Sequence, residues 1–590
     1  MFDSTIGART VLMPYGGKRQ KTKTQSMVSL IPIEKNIKTV SIMAYGLNPF
    51  LQEQSPFHGA YFAVIDSVAK IVAAGGKLKN CWLTLQEYFP SIKNDKKRFG
   101  LPFSALLGAL KAQMELKIAA IGGKDSMSGS FENLDIPPSL TSFAVSISDI
   151  DKIISPEFKK ENSPVVLITK NMETNKKFNL STTKKTFEFV ENLIKDKKVI
   201  SAYAIGFGGI AEAICKMCFG NKIGFKFNQK IEDKMLFNPT YGGFILELKE
   251  EIEGIKTIGK TTKNYEIEED SFKIDLNVLE KEYEKTLEKI YTTKVENTEN
   301  FPIEEIKYSE TKSKIRKTNL LTKINNPKVL IPVFPGTNCE FDLKNQFDKE
   351  GADCETFVIN NLNEKNIKQS IEIFSKKIEK SNIIALAGGF SASDEPDGAA
   401  KFIAAFFKNP KIKESIQIFL EKKDGLMLGI CNGFQALIKL GLIEYGEIVD
   451  SKQINATLTY NQIGKHQSTI VRTKTISNNS PWLQYEKIGE TKKIAISHGE
   501  GRLIATKNGI SKLIENKQIA TIYVDNQNNP TSDVKYNPNG SYLSIEGLTS
   551  KNGKIFGRMG HSERMQKNLY KNIGEIEEQT IFKAGLDYFK

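Results

Sequence analysis

The side chain best suited to covalent chemistry in this sequence is the thiol of Cys431. An apolar run, LMLGI, leads directly into it, and a helical pattern, NGFQALIKLG, follows. Gly429 and Gly433 flank the cysteine at the G-x-nucleophile-x-G spacing of a nucleophile elbow, where glycines relieve crowding at a tight strand-to-helix turn. A helix N-terminus stabilises a thiolate, and the amide of Asn432 is placed to bind an oxyanion. The pattern therefore predicts a cysteine nucleophile; a buried structural cysteine at a tight turn is the alternative.

A cysteine nucleophile needs a general base, and histidine is the usual one. The sequence contains four histidines: His58, His466, His498 and His561. Two of them have a glutamate two positions later, which gives the pairs His498–Glu500 and His561–Glu563. In an extended segment this spacing points both side chains the same way, so either pair could form an oriented imidazole. Spacing alone does not choose between the pairs, and the other two histidines are predicted to be structural or substrate-facing.

Composition narrows the classes of protein that could carry this chemistry. The 590 residues suggest about three or four domains, and 40% hydrophobic with 26% charged residues is ordinary for a globular chain. No run approaches the roughly 18 to 20 apolar residues of a membrane helix, and the first residues, MFDSTIGART, lack the apolar core of a signal peptide. The six cysteines are too sparse for a disulfide framework. We therefore expect a cytoplasmic protein with no membrane partner.

The net charge of +14 comes mainly from lysines dispersed among glutamates, as in KEYEKTLEKIYTTK. A nucleic-acid-binding protein would gather its positive charge on one surface and interleave it with aromatic rings. We therefore expect no nucleic-acid partner, although an anionic substrate would still be attracted. Cys215 and Cys218 have C-x-x-C spacing but lack the second pair or the histidine of a tetrahedral zinc site, so they are predicted to pack in a core.

Hydrophobic patterns indicate which elements position these residues. Residues 328–590 open with the strand-like run KVLIPVF, and the short apolar runs IIALAGG and LMLGI each end in turn or helix-start residues. Buried parallel strands have this pattern, so a doubly wound α/β domain is predicted there. Residues 1–152, with the long helical stretch HGAYFAVIDSVAKIVAAGG, and residues 153–300 are predicted to be two further α/β domains. The polar residues 301–327 are predicted to be a linker.

Six motifs that follow one another in the C-terminal domain carry a family resemblance. They are FPGTNCEFD at 334–342, AGGFSASDEPDG at 387–398, GICNGFQ at 429–435, SHGEGR at 497–502, NPNGS at 537–541 and GRMGHSER at 557–564. Together they strongly resemble the class I glutamine amidotransferase domain of phosphoribosylformylglycinamidine synthase, an enzyme of purine biosynthesis. The fold that this resemblance implies is flavodoxin-like. The ordered set is far more specific than any one motif.

The resemblance implies a role for individual residues and a reaction. Cys431 matches the family's nucleophile, His561 its base and Glu563 the acid that orients the base, while His498 falls in a separate motif. The implied reaction is hydrolysis of the side-chain amide of glutamine to glutamate and ammonia. The implied oxyanion and glutamine pocket comprises Gly388, Gly389, Phe390, Asn432 and Gln435.

The amino-terminal half carries a second resemblance. Its motifs are FDSTIGARTVLMPYGGK, NPFLQEQSPFHGA, LTLQEYF, PFSALLGALKAQ, IGGKDSMSGSFENLDIPPSL and SAYAIGFGGIAEA. They look like the second of two synthetase halves in the long single-chain form of the same enzyme. Each half pairs two α/β domains, as in aminoimidazole ribonucleotide synthetase. The resemblance implies formylglycinamide ribonucleotide as substrate, ATP and Mg²⁺ as cofactors, and a first synthetase half that is either a separate chain or lost.

The string GGKDS offers candidate nucleotide or substrate contacts. Small residues allow close approach of a phosphate, Lys124 supplies charge, Asp125 can reach Mg²⁺, and Ser126 completes the group. A simple turn is the alternative for so short a string. His58, just before the long helix, is a further candidate for a substrate contact.

One metal ligand is implied by resemblance alone. Relatives hold metal-bound nucleotide with an acid and an amide four residues apart on the long helix, and with an acid in a loop of the second domain. The matching positions here are Asp66, Lys70 and Ala204. Asp66 is therefore a candidate magnesium ligand. The lysine and the alanine argue against an intact auxiliary nucleotide site.

These observations lead to one principal hypothesis and two alternatives. The principal hypothesis is the C-terminal part of a split or truncated phosphoribosylformylglycinamidine synthase, which makes ammonia at Cys431 and passes it to a synthetase centre completed by a first half. The first alternative is a stand-alone glutaminase with a vestigial synthetase half. The second is a non-catalytic scaffold that binds nucleotide or a partner subunit.

Overall fold

The computed structural model describes residues 3–33, 37–172, 178–295, 306, 308, 316–319, 323–391 and 399–590. The chain divides into two compact units. The N-terminal unit consists of Arg9–Ile290 and Asn568–Glu575, and the C-terminal unit consists of Met1–Ala8, Tyr291–Lys567 and Ile576–Lys590. Both are built from mixed helices and sheets, which confirms the predicted α/β class. The predicted linker, 301–327, falls largely outside the described residues.

Two main sheets organise the N-terminal unit. Its strands are β1 (Thr10–Leu12), β2 (Tyr15–Gly16), β3 (Thr22–Lys23), β4 (Met27–Leu30), β5 (Thr39–Gly46), β6 (Cys81–Tyr88), β7 (Ala119–Lys124), β8 (Ser130–Phe131), β9 (Leu134–Asp135), β10 (Ser139–Asp149), β11 (Pro164–Ile168), β12 (Val199–Ala204), β13 (Gly224–Phe227), β14 (Phe244–Leu248), β15 (Thr257–Thr262), β16 (Glu266–Glu269) and β17 (Phe272–Asp275). The first sheet has the order β1-β4-β5-β10-β6-β7, and the second has the order β12-β14-β11-β15-β13-β16-β17. Short pairs β2-β3 and β8-β9 complete the unit's described strands.

The helices of this unit pack on both main sheets, and they cover both faces of the second one, since alternate residues of β11 and β14 belong to two different cores. They are α1 (Pro49–Gln54), α2 (Pro56–Ala73), α3 (Lys96–Leu116), α4 (Thr183–Lys195), α5 (Gly209–Phe219), α6 (Asp233–Phe237) and α7 (Leu276–Glu288). Helix α2 begins where Ser55 caps it, since the Ser55 hydroxyl accepts a hydrogen bond from the His58 amide, and Pro56 suits the first helical turn. Its apolar positions at helical spacing, among them Val64 and Val68, are fully buried against the first sheet.

A nine-stranded sheet forms the centre of the C-terminal unit. The unit's strands are β18 (Lys328–Val333), β19 (Asp353–Val358), β20 (Ile383–Leu386), β21 (Leu426–Ile430), β22 (Ala456–Tyr460), β23 (Gln467–Thr475), β24 (Thr491–His498), β25 (Glu500–Ala505), β26 (Ile519–Val524), β27 (Ile545–Thr549) and β28 (Ile555–Arg558). The order is β19-β18-β20-β21-β28-β27-β26-β23-β24, with β22 and β25 paired separately. From β19 to β28 neighbouring strands are parallel, as the buried apolar runs predict, while the remaining strands extend the sheet in antiparallel fashion.

Helices pack against this sheet around a large apolar core. They are α8 (Glu340–Lys349), α9 (Glu364–Ile378), α10 (Lys401–Phe407), α11 (Pro410–Glu421), α12 (Asn432–Lys439), α13 (Leu442–Tyr445), α14 (Lys507–Glu515) and α15 (Ile581–Asp587). All five residues of β21, the strand that precedes Cys431, are buried. In the described part of the chain, no helix combines the length and the apolar character that a membrane crossing requires.

Candidate active site

The turn at Cys431 has the geometry of a strained elbow. Strand β21 ends at Ile430 and helix α12 begins at Asn432, which leaves Cys431 alone between them with φ 51° and ψ −106°. A side chain at Gly429 would come within 2.7 Å of the Gly433 backbone, and one at Gly433 would overlap the Leu386 carbonyl oxygen. Both flanking glycines are therefore required by the close passage of α12 past β20 and β21. This strain is confined to the residue that the sequence singles out for chemistry.

His561 and Glu563 form a buried hydrogen-bonded pair. Nδ1 of His561 and Oε1 of Glu563 are 2.6 Å apart, and each side chain is 1% exposed. Burial and the neighbouring Arg564 guanidinium disfavour the protonated imidazole, but the Glu563 carboxylate and Cys431 outweigh them, so the pKa of His561 lies above its usual value. Nε2 of His561 is buried and has no hydrogen-bond partner among the described residues. The imidazole is thus oriented by a carboxylate and keeps one nitrogen available.

Sheet topology explains why these residues meet. Cys431 follows β21, the His561 segment follows β28, and Gly388 follows β20; these three strands are parallel neighbours, so their carboxyl ends share one edge of the sheet. A Cβ built on Gly388 would lie 2.9 Å from Cε1 of His561 and 3.4 Å from Cβ of Cys431. The imidazole and the cysteine side chain therefore both lie against Gly388.

The alternative pair with the same spacing does not form a dyad. Nδ1 of His498 lies 3.0 Å from Oδ1 of Asn461, and the Glu500 carboxylate accepts the amide of Ala399 at 2.8 Å. Burial lowers the pKa of His498 to about 3, so its imidazole is neutral. The chain turns from β24 into β25 between His498 and Glu500, which points the two side chains to different partners. Sequence spacing does not choose between the two histidine–glutamate pairs, whereas the tertiary contacts show that only His561–Glu563 is hydrogen-bonded within the described residues.

A second buried ion pair anchors the loop that carries His561. The Arg558 guanidinium contacts the Glu546 carboxylate at 2.9 Å, and both side chains are at most 5% exposed. Oε1 of Glu546 also accepts the amide of Gly560 at 2.7 Å, and Nη1 of Arg558 donates to Oγ of Ser562 at 3.1 Å. These bonds fix the backbone on both sides of His561, so the base is positioned by a network rather than by one contact.

The loop after β20 offers amides for an oxyanion, and the structure narrows the choice. The Phe390 amide donates to the Gly336 carbonyl at 2.8 Å, so it is already engaged. Gly389 has φ 145°, a region that only glycine occupies without strain. In the pocket wall, Oε1 of Gln435 accepts from the Asn432 side chain at 2.9 Å, and Nε2 of Gln435 donates to the Glu500 carbonyl at 2.8 Å. Gln435, a predicted pocket residue, therefore links the Asn432 side chain to the Glu500 backbone.

Residues 326–589 match the family model of the CobB/CobQ-like glutamine amidotransferase domain. The phosphoribosylformylglycinamidine synthase subunit PurQ of Methanococcus maripaludis is 32% identical to this chain over 290 residues, a match that spans 45% of this chain and 97% of that protein. The chain belongs to the phosphoribosylformylglycinamidine synthase family. It is therefore an enzyme, a glutamine amidotransferase of the ligase class that acts in purine biosynthesis.

A longer relative extends the similarity into the N-terminal unit. The phosphoribosylformylglycinamidine synthase of Dictyostelium discoideum is 23% identical over 572 residues, which covers 81% of this chain and 41% of that protein. One chain of the structure of PurLQS from Thermotoga maritima is 25% identical, with a TM-score of 0.33, over 45% of this chain and 100% of that chain. The match to a full-length synthase favours the principal hypothesis over a stand-alone glutaminase or a scaffold.

The magnesium ligand expected of a phosphoribosylformylglycinamidine synthase does not fit its surroundings here. Nζ of Lys70 lies 2.6 Å from Oδ2 of Asp66 and also donates to the Tyr45 carbonyl at 2.8 Å. Burial raises the pKa of Asp66 despite this lysine. The backbone of Ala204, at the matched loop position, exchanges two hydrogen bonds with the Gln25 side chain. An ammonium group therefore holds the carboxylate that Mg²⁺ would need, and the candidate metal site is not supported.

The other synthetase candidates are surface groups. Lys124 and Asp125 are exposed at the end of β7, where Nζ of Lys124 donates to the Asp125 carbonyl, and the Ser126 hydroxyl contacts Ser128 at 2.8 Å. His58 is exposed in the first turn of α2, with Nδ1 2.8 Å from the Ser55 hydroxyl. These residues remain candidates for substrate contacts.

Sequence reasoning missed two buried groups. Glu87 lies beside the GGKDS string, and burial together with the Asp125 carboxylate raises its pKa to about 7. Cys339, inside the FPGTNCEFD motif, is 1% exposed and contacts the same Gly388 position as His561. Its position after β18 and in front of α8 can be predicted from the sequence, but its proximity to Gly388 depends on the pairing of β18 with β20, which the sequence does not give.

Proposed function

We propose that this chain hydrolyses glutamine with Cys431 as nucleophile, His561 as acid and base, and Glu563 as the orienting group, and passes the ammonia to the ATP-dependent amidination of formylglycinamide ribonucleotide. The observation that carries the proposal is the strained elbow at Cys431 beside the 2.6 Å pair of His561 and Glu563. Among the histidine–glutamate pairs at this spacing, this one alone is hydrogen-bonded within the described residues.

The geometry supports a two-step acyl transfer. The Cys431 thiolate attacks the carboxamide carbon of glutamine, and the carbonyl oxygen becomes an oxyanion held by the amides of Asn432 and Gly389. The His561 imidazolium then gives its proton to the departing ammonia, which leaves a thioester on Cys431. The neutral imidazole next takes a proton from water as the water attacks the thioester, and glutamate is released. Glu563 keeps the imidazole in one orientation throughout.

A substitution of the nucleophile tests this assignment. In Cys431→Ala, glutamate release and glutamine-dependent amidination should both be lost, while amidination supplied with ammonium salt should persist. The matched control is Cys354→Ala on β19, which removes a partly buried thiol outside the site. Retained glutamate release in Cys431→Ala would overturn the role of Cys431, and glutamine hydrolysis that ATP and ribonucleotide never stimulate would support the stand-alone glutaminase.

ATP use follows from the family reaction, in which ATP activates the glycinamide carbonyl oxygen of formylglycinamide ribonucleotide before ammonia displaces phosphate to give the amidine. In this chain the exposed Lys124 and Asp125 and the half-buried Ser126 are the groups proposed to contact nucleotide or substrate. Magnesium is given no step here, because Asp66 is bonded to Lys70. Replacing Lys124 with Met should raise the KM for ribonucleotide or ATP and leave glutamate release unchanged; an unaltered KM for both would remove Lys124 from the proposal.

An exposed apolar face on the first sheet supports a role for a first synthetase half. Side chains alternate along these strands, so one face packs on α2 while the other is open. Across that open face, adjacent strands place Met27, Met43, Val145 and Trp82 in one row by direct register. Met27, Met43 and Trp82 are 55%, 38% and 43% exposed. A continuous apolar row of this kind is typical of a protein interface.

We propose that this row is covered by a first synthetase half, carried on the same or on another polypeptide. The Dictyostelium relative supports the proposal, since this chain accounts for only 41% of it. Trp82→Arg should abolish amidination and assembly with a first-half polypeptide while glutamate release persists. The control, Met235→Arg, changes a side chain of similar exposure on α6. Unchanged assembly in Trp82→Arg would place the partner elsewhere.

A further inference from the structure

Helix α3 carries a continuous apolar stripe on the side that faces solvent. Its six side chains recur at helical spacing and are 43% to 70% exposed: Phe99, Phe103, Leu106, Leu107, Leu110 and Met114. Exposed apolar surfaces of this extent mark interaction sites. We propose that a second copy of this chain covers the stripe, with the two α3 helices packed in antiparallel orientation about a twofold axis.

The opposite side of α3 is fixed within its unit. Ala105, Ala109 and Ala112 are fully buried in the core to which α2 also contributes. A Cβ built on Gly108 would lie 2.0 Å from the Phe57 carbonyl oxygen, so α2 and α3 pass in close contact there. The small residues of α3 therefore lie inward and its bulky apolar residues lie outward. A surface helix normally shows the reverse distribution, so the outer side has the composition of a buried face.

The stripe is also free of charge. Between Phe99 and Met114 the sequence has one charged residue, Lys111. The Lys111 ammonium lies over the rings of Phe57 and Tyr61 on α2, at 5.8 and 5.9 Å from their centroids. A second apolar helix can therefore pack along this stretch without burying an unpaired charge.

The order of the six residues points to a second copy as the occupant, because the stripe is symmetric about the midpoint between Leu106 and Leu107. In an antiparallel pair with a twofold axis at that midpoint, each residue faces the residue of the other copy that lies equally far beyond the midpoint. The resulting pairs, each formed twice, are Phe99 with Met114, Phe103 with Leu110, and Leu106 with Leu107. Every pair is apolar, which is the self-complementarity that an interface between identical chains requires. An unrelated partner helix would place no such condition on the spacing.

The size of the stripe suits a dimer. A standard interface buries about 800 Å² on each partner, and the exposed fractions of the six side chains correspond to about 600 Å². Lys96 and Lys117 lie three residues beyond the two ends of the stripe, and both are exposed. In the antiparallel pair each faces the other across the interface, where salt screens their repulsion. Raising the salt concentration should therefore strengthen the dimer.

This pairing is independent of the first synthetase half. Helix α3 packs on α2, on the side of the first sheet opposite to the row of Met27, Met43, Val145 and Trp82. Both surfaces can therefore be covered at once, and the dimer does not rest on the proposed glutaminase role.

Sedimentation equilibrium of the full chain tests the dimer. The parent should dimerise with a micromolar or lower Kd, and this Kd should fall as the salt concentration rises. Leu106→Glu places a carboxylate beside the twofold axis in both copies, so the Kd should rise at least a hundredfold. The matched control is Val278→Glu on α7, which changes an exposed apolar side chain of another helix in the same unit and should leave the dimer intact.

Three results would overturn the proposal. They are a parent that stays monomeric at micromolar concentrations, an unchanged Kd in Leu106→Glu, and a dimer that salt weakens. If the monomeric parent instead binds a first-half polypeptide and Leu106→Glu abolishes that binding, the stripe belongs to the first half and not to a second copy.

Opposite charges test the antiparallel register. Phe103→Glu and Leu110→Lys should each be monomeric alone, because a homodimer would bury two unpaired charges. Mixed in equal amounts, the two variants should form a heterodimer, since the introduced carboxylate then faces the introduced ammonium while the other copy of this pair stays apolar. No dimer on mixing would overturn the register. Circular dichroism checks that each variant is folded, and glutamate release should equal that of the parent in all of them, so failure of the glutaminase assignment is seen separately.

Discussion

Two buried carboxylates, one in each unit, differ in the side chain with which they pair, and this difference gives them different roles. Glu563 lies 2.6 Å from an imidazole that packs against Gly388 beside Cys431, and it raises the pKa of that imidazole. Asp66 lies 2.6 Å from an ammonium group that also bonds to the backbone of β5. The first pair leaves a ring nitrogen available for proton transfer, whereas in the second Lys70 holds Oδ2 of Asp66 and no proton-transfer group is attached, although Oδ1 is buried without a hydrogen-bond partner in the described chain. The titratable imidazole as partner, more than burial, distinguishes a catalytic carboxylate from a structural one.

The largest expected effect comes from removing the imidazole. In His561→Asn the rate constant for glutamate release should fall by about 10⁴- to 10⁶-fold, because both the proton donor for ammonia and the base for water are lost. The control is His58→Asn, which changes an exposed histidine in the other unit and should leave glutamate release as it is. Glutamate release by His561→Asn at the parent rate would return His498 to consideration.

Removing the carboxylate should have a smaller effect with a distinct pH signature. Glu563→Gln should lower kcat by about 10²- to 10⁴-fold, since the imidazole loses its orientation. The carboxylate also raises the pKa of His561, so its loss should let the imidazolium deprotonate at lower pH. Because the imidazolium protonates ammonia, the basic limb of the kcat/KM profile should move to lower pH. A basic limb that stays in place would mean that Glu563 does not act through His561.

How far the sequence predicts each site depends on the range of the contacts that build it. The elbow at Cys431 is local, so its strand, its turn and the helix after it could all be predicted from periodicity and two glycines. The pairing of Lys70 with Asp66 is equally local, at i,i+4 spacing on α2. Both were within reach of single-sequence reasoning.

Contacts between residues far apart in the sequence could not be predicted in this way. Cys339 lies beside Gly388 and His561 only because β18 lies next to β20 in the sheet, and no spacing in the chain encodes that pairing of strands. The engagement of the Phe390 amide by Gly336 is another such contact. Local patterns therefore predict where the nucleophile is, whereas the environment that tunes it depends on strand order.

Paired glycine substitutions sharpen the contrast between the two units. Gly388→Ala should lower kcat for glutamate release by about tenfold to a hundredfold. The new methyl group would lie 2.9 Å from Cε1 of His561 and 3.1 Å from Sγ of Cys339, so it must displace both side chains. Gly100→Ala on α3 is the matched control, because a Cβ there has no heavy atom within 4 Å. Circular dichroism should show both variants folded. Full activity of Gly388→Ala would mean that the imidazole does not depend on this close contact.

The smallest expected effect tests whether Asp66 is structural. Lys70→Met leaves a carboxylate that is 7% exposed without its ammonium partner, so the free energy of unfolding at neutral pH should fall by about 1–3 kcal/mol. Because burial already raises the pKa of Asp66 above its ordinary value near 3.8, the carboxyl becomes neutral as the pH falls, and the deficit should vanish in acid. Lys38→Met, which breaks an exposed pair with Asp151, is the control and should barely change stability.

The parent protein and the Asp66→Asn variant together test whether Mg²⁺ binds at Asp66. In the parent chain the ammonium of Lys70 already neutralises Asp66, so Mg²⁺ should leave the midpoint of thermal unfolding unchanged. A ligand that binds only the folded state would raise that midpoint in proportion to the logarithm of its concentration. If Mg²⁺ raises the midpoint of thermal unfolding of the parent but not of Asp66→Asn, the metal displaces Lys70 from Asp66. Asp66 would then be a metal ligand, and its pairing with Lys70 would describe only the metal-free state.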